Sequence, residues 1–211
     1  MAINLTKQMV TKGERINLTK EEGENLKKLY LGTGWDVQRY DGKEDFDVDL
    51  YLFLLDECGK CLGMDYFIAG GGPRAFVKDN GEFYDHDPER AVIHNGDNTT
   101  GIGDGDDESA TIEFDKLNPR VKKIVAIDAI YLAKEREQKF GMINNAFFHA
   151  TNPDTGKDWH FDLSEDYDQQ TAIVGFEIYR HNDCWKLNPV GDGYVKDILE
   201  LCTEYGLDAT Y

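Results

Sequence analysis

Phe46, Val48, Leu50, Leu52 and Leu54 occupy alternate positions of one run, interleaved with Asp47, Asp49, Tyr51, Phe53 and Leu55. A period of two predicts a strand over residues 46–55, with the even side chains on a core face and the odd face passing from acidic at the entry to apolar farther in. Residues 26–34 read as a strand leading into an acidic loop, and residues 62–69 as the return strand of a hairpin that turns over residues 56–60. Gly70-Gly71-Gly72-Pro73 breaks that pattern, and the polar, turn-rich stretch at about 72–88 reads as an exposed insertion. Further strands are expected over 110–114, 123–130, 142–151, 159–163, 172–179 and 184–190. Two helical turns are expected over 133–140. A final helix over 194–205 follows from Val195, Ile198, Leu199 and Cys202 at i, i+3, i+4 and i+7, with Gly206 at its C′ position. Many short strands separated by turn residues predict a mainly β fold, an antiparallel β-sandwich with a few short helices and a C-terminal helix.

Length and charge narrow the functional classes. At 211 residues the chain is expected to form one domain spanning 1–211. Its 41 acidic against 23 basic residues leave a net charge of −18, which repels nucleic-acid phosphates and argues against direct nucleic-acid binding. No run approaches the roughly 18 apolar residues of a membrane span, and the first twelve residues lack the apolar core of a secretory signal, so a cytoplasmic protein is expected. Four cysteines do not make a disulfide scaffold, and all are expected reduced.

The acid is concentrated. From residue 91 to 115 there is no Lys or Arg, while Asp97, Asp104, Asp106, Asp107, Glu108, Glu113 and Asp115 all occur. Glycines within this stretch let the backbone fold tightly, so that several oxygens can face one point. Asp36, Asp41, Glu44, Asp45, Asp47 and Asp49 form a second group, offset only by Arg39 and Lys43. Crowded carboxylates repel, and a divalent cation reverses that repulsion; hard oxygen ligands on a flexible loop suit Ca²⁺. The spacing is not that of an EF-hand, because the position that needs glycine is Ser109 counted from Asp104 and Leu50 counted from Asp45. The alternative is a solvated, turn-rich acidic surface.

Other chemistry is weaker. Cys58-Gly59-Lys60-Cys61 has no second pair at zinc-ribbon spacing and reads as a hairpin turn, with a thiol redox role as the alternative. The five histidines are scattered, no nucleophile motif is present, and no enzymatic activity is expected.

Leu31-Gly32-Thr33-Gly34-Trp35-Asp36, Asp45-Phe46-Asp47-Val48-Asp49, His94-Asn95-Gly96-Asp97-Asn98-Thr99-Thr100-Gly101, Gly103-Asp104-Gly105-Asp106-Asp107-Glu108 and Val190-Gly191-Asp192-Gly193-Tyr194 occur in one order along the chain. With them the sequence resembles the TerD family of bacterial tellurium-resistance and stress-response proteins over nearly its whole length. The resemblance implies a β-sandwich that binds one or two Ca²⁺ ions through acidic loops. The implied ligands lie among Asp45, Asp47 and Asp49 on the first loop and Asp97, Asn98, Asp104, Asp106, Asp107 and Glu108 on the second. It also implies a non-enzymatic role in sensing or buffering calcium, with other tellurium-resistance proteins or a membrane-associated complex as partners, at or near the inner membrane. A thiol-based detoxification of tellurite or oxidants through Cys58 and Cys61 is the alternative function. The sequence departs from the family pattern at Ile102, at Gly70 and Gly71 in place of paired asparagines, and in the length of the 72–88 segment.

Overall fold

The computed structural model describes residues 6–21, 26–36, 46–99, 105–163, 167–182 and 184–209. Its strands are β1 (Thr6–Met9), β2 (Ile16–Asn17), β3 (Lys28–Asp36), β4 (Val48–Leu55), β5 (Phe67–Ala69) and β6 (Val92–His94). They continue as β7 (Glu108–Glu113), β8 (Lys123–Ile130), β9 (Asn144–Thr151), β10 (Lys157–Asp162), β11 (Ala172–His181) and β12 (Cys184–Tyr194). A short helix α1 (Leu18–Glu21) and a C-terminal helix α2 (Ile198–Glu204) complete the elements used below. One sheet has the order β1-β10-β9-β3-β7-β6 and the other β2-β12-β11-β8-β4-β5. Pairing is antiparallel except between β1 and β10. The expected sandwich is the observed one.

Alternation in β4 sends its two faces to two cores. Leu50, Leu52 and Leu54 pack between the sheets with Leu29, Leu31, Ile112, Ile124, Phe148, Trp159 and Phe176. Tyr51, Phe53 and Leu55 face the other way and are roofed by α2 through Ile198, Leu199, Leu201 and Cys202. Each fully buried side chain of this size contributes about 1.5–3 kcal/mol, so α2 is anchored far more by packing than by its seven residues of helix.

Strands β1, β2 and β6 and helix α1 were not expected from the sequence, and four expected segments take another form. The final helix starts at Ile198 rather than 194, because Asp197 and Glu200 form a reciprocal capping box and β12 stays paired to β11 as far as Tyr194. Gly206 does sit just past the helix with φ of 85°. Residues 131–137 make successive turns, not two helical turns over 133–140, since Leu132 just before that span and Glu137 within it take positive φ and interrupt a helix. The return strand shrinks to Phe67–Ala69, with a 3₁₀ turn over Met64–Tyr66 in its place. Finally, the 72–88 segment exposes residues 79–82 but buries Phe76 and Asp87 completely. It closes the open side of the sandwich: the Ala69 amide donates to the Tyr84 carbonyl at the edge of one sheet, and the His94 amide to the Asp85 carbonyl at the edge of the other.

The strand ends that matter converge at one end. Thr33 is opposite Glu108, His94 opposite Ala110, and Val48 opposite Ile130, so the exits of β3, β6 and β8 meet the entries of β4 and β7. Trp35, Phe46, Val48, Ile130, Ala133, Phe140, Tyr167 and Ile173 form an apolar floor beneath that rim.

Candidate metal centre

Asp47 and Asp49 bracket the first residue of β4, and the loop leaving β6 brings in Asp97. One carboxylate oxygen of each lies within 4.8 Å of the other two. Asp49 is buried, Asp47 half-buried and Asp97 exposed, so the group opens to solvent on one side. The Tyr51 hydroxyl, on the same strand face, donates to Asp49 Oδ2 at 2.8 Å. Burial, then the charges of Glu108, Asp47 and Asp97, push Asp49 well above the usual carboxylate range. Burial and Asp97 likewise hold Asp47 up at about 6, although Arg136 lies 3.9 Å away. Asp47 Oδ1 is buried with no hydrogen-bond partner among the described residues. Three acids held against their own repulsion, one with an orphaned buried oxygen, form a donor set that fits a hard cation such as Ca²⁺.

Two glycines make room for this arrangement. A Cβ on Gly71 would lie 2.8 Å from both Asp49 Oδ1 and Asp97 Oδ2, and one on Gly70 would lie 2.2 Å from His94 Nδ1. The space left by two missing side chains is taken up by the acids and the imidazole.

The remaining acids of the second loop are placed differently. Glu108 has a fully buried side chain whose Oε2 accepts the Leu50 amide at 2.5 Å and whose Oε1 accepts the Asn98 amide at 3.2 Å. It therefore ties the strand carrying Asp49 to the loop carrying Asp97. Burial raises its pKa to about 9, with Asp97 adding to the shift and the two amides opposing it. His94 Nδ1 accepts the Gly96 amide at 3.3 Å, which leaves the ring proton on Nε2, 3.3 Å from Glu108 Oε2. Burial pushes that histidine down to about 4, so it is neutral. Asp107 is a second brace: its Oδ2 accepts the Trp35 amide at 2.9 Å and its Oδ1 accepts Asn98 Nδ2 at 3.1 Å. Asp106 faces away from the cluster, with Oδ1 2.9 Å from His149 Nε2. Asp45 and Asp104, also expected as ligands, lie outside the described residues, as does Ile102.

Sequence reasoning missed three residues here. Asp128 is the lone acid in the apolar run of β8; it is 2% exposed, with burial holding its pKa well up, and the Thr33 hydroxyl bridges it to the Phe147 carbonyl, 2.9 Å away. An acid inside an otherwise apolar strand was the available signal. His94 shares its strand face with the buried Val92 and His149 lies between the buried Phe148 and Ala150, but only the fold shows which acid each one meets.

Of the two thiols in the turn, Cys61 is poorly set for attack. Cys58 is exposed, while Cys61 is half-buried with its thiol donating to the Tyr66 carbonyl at 3.3 Å, and burial pushes its pKa up. Among the described residues, no helix is long and apolar enough to cross a membrane.

The comparisons with known proteins bear on the family and the fold. Residues 1–205 match the family model of the TerD domain. General stress protein 16U of Bacillus subtilis (strain 168) is 37% identical over 94% of the chain and 96% of its own length. Tellurium resistance protein TerD of Serratia marcescens is 37% identical over 95% and 98%. The crystal structure of a homologue of telluride resistance protein (TerD) from Streptomyces coelicolor A3(2) superimposes with a TM-score of 0.64 at 18% identity, covering 88% of this chain and all of that one, which fixes the fold alone. With a family model spanning almost every residue and relatives aligned end to end, the chain belongs to the TerD family of tellurium-resistance and stress-response proteins.

Proposed function

We propose that this protein is a non-enzymatic calcium-binding module of the stress response. It holds the ion between Asp47, Asp49 and Asp97 and uses the change in charge at that rim to engage a partner. The observation that supports the reading is the convergence of three carboxylates on one point, with a buried oxygen left unpartnered. Glu108, Asp107 and Asn98 act as braces that keep the two ligand-bearing segments together. Calcium is preferred over magnesium because a site of carboxylates on loops adapts to the 6–8 oxygens at about 2.3–2.6 Å that calcium takes, whereas magnesium retains much of its water.

A thermal melt of chelator-treated protein, alone, with calcium and with magnesium at equal ionic strength, tests the reading. Ligand at about 100 times its Kd adds roughly 2.7 kcal/mol per site, a shift of several degrees for a chain of this length. A calcium-selective rise is expected, and an unchanged midpoint rejects the calcium role. Docking at the inner face of a membrane would follow from neutralising the rim of a −18 protein, and it predicts calcium-dependent sedimentation with anionic vesicles. Equal sedimentation in chelator and in calcium rejects that part.

A further inference from the structure

His149 is clipped on both ring nitrogens by carboxylates from two different parts of the chain. Nδ1 lies 2.5 Å from Oδ1 of Asp158 on the neighbouring strand β10, an oxygen that also accepts the Thr151 hydroxyl at 2.7 Å. Nε2 lies 2.9 Å from Oδ1 of Asp106, on the arm of the acidic loop that returns into β7, an ion-pair distance without hydrogen-bond alignment. A carboxylate beside each ring nitrogen favours the doubly protonated, cationic ring. Burial works against that charge, but Asp106 and Asp158 outweigh it and hold the pKa up at about 9.

The sequence has made a seat for this contact. A Cβ on Gly32, in the middle of β3, would lie 2.2 Å from His149 Nε2 and 2.5 Å from Asp106 Cγ, so any other residue there would displace the pair. Tyr30 and Phe147 pack edge-on against the imidazole, with ring centroids 6.0 and 6.1 Å away. The contact sits on the outer face of its sheet, whereas Glu108, two residues along, is buried on the inner side. The returning arm is thus held from both faces, and between the two anchors Asp107 braces Asn98, the neighbour of Asp97.

We infer that His149 is a positioning residue for the cation site: an imidazolium latch that pins Asp106 to the sheet and so keeps the loop in the arrangement that presents Asp97. The affinity part of this inference rests on the calcium reading; the latch itself does not. Fixing a loop in its binding conformation raises affinity by removing the cost of ordering it, so loosening the latch weakens binding without touching a ligand.

The experiment compares wild type with His149→Gln, Asp106→Ala and the double variant. Amide hydrogen exchange is measured in chelator and calcium affinity by calorimetry. Each single variant is expected to speed exchange of the Asp107 amide, which donates to the Thr33 carbonyl at 2.9 Å, by about tenfold while leaving β4 and β8 protected. Each is expected to raise the calcium Kd by about tenfold, and the double variant to be no worse than His149→Gln alone, as two halves of one contact require. Packing lost around the ring would instead add to the loss of Asp106. Unchanged Asp107 exchange overturns the latch, and unchanged or tighter calcium binding overturns its positioning role. If wild type binds no calcium while exchange still rises, the calcium reading fails and the positioning role with it, although the pin has been seen. Should His149→Gln fail to fold, the exposed Asp106→Ala carries the exchange and affinity measurements alone.

Discussion

Replacing Asp97 by asparagine is expected to stabilise the protein when no cation is bound and to weaken it when calcium is present. The three carboxylates have oxygens within 4.8 Å of one another, and two unit charges at that distance repel by about 0.9 kcal/mol even at the dielectric constant of water. Asp97 takes part in two such pairs. Where Asp49 is fully ionised, removing the charge relieves about 1.7 kcal/mol; where burial leaves a proton on Asp49, only the pair with Asp47 counts and the relief is about 0.9 kcal/mol. For a chain of this length that corresponds to a rise of about 2–6 °C in the midpoint of the chelator-treated protein. Differential scanning calorimetry at pH 7.5 and 0.15 M salt, with chelator and with calcium, reads both arms. The calcium-induced shift should fall below half the wild-type value, so the two melting curves cross over between conditions. A variant that melts lower than wild type in chelator would show that the three acids do not repel one another. A calcium shift of undiminished size would show that the ion sits elsewhere.

Glu108→Ala removes the acceptor of two backbone amides, those of Leu50 and Asn98, and should cost about 2–4 kcal/mol in urea denaturation. Phe76→Ala, in the segment that reads as an exposed insertion, should cost about 3–5 kcal/mol by the same measurement, since the ring is fully buried; a cost below 1 kcal/mol would mean that the segment is peripheral. The pH dependence follows from His149: its folded pKa is raised from an ordinary 6.5 to about 9, so the stabilisation is complete below 6.5 and is lost as pH climbs through 9. The unfolding free energy of the chelator-treated protein, from urea titrations, should therefore fall more steeply from pH 6.5 to 9 in wild type than in His149→Gln, by up to about 3 kcal/mol in total. Parallel pH curves would contradict it.

Much of the fold was legible because it rests on alternation. The two faces of β4 can be read from the residue order alone, and the outcome, one face in the core between the sheets and the other under α2, follows from both being apolar. Strand β1 was not legible, since all four of its residues are exposed and it is held by main-chain pairing to β10. Phe76 was missed because the short run Ala75-Phe76-Val77 among glycine, proline and charged residues leaves no periodic trace, although its burial closes the side of the sandwich. In the site, the local excess of acid was plain, but its division of labour was not. Asp97 joins Asp47 and Asp49, while Asp107 and Glu108 become braces and Asp106 meets His149. That sorting is set by the register of β7 on β3, with Thr33 opposite Glu108, which is a property of the folded sheet.

The most direct test of the central claim is to locate the ion. In crystals grown with calcium, or soaked with a lanthanide for its anomalous signal, a single strong peak is predicted about 2.3–2.6 Å from carboxylate oxygens of Asp47, Asp49 and Asp97, and it should disappear in Asp49→Asn. A well-ordered rim with no peak between those three residues, or a peak that survives the substitution, would contradict it.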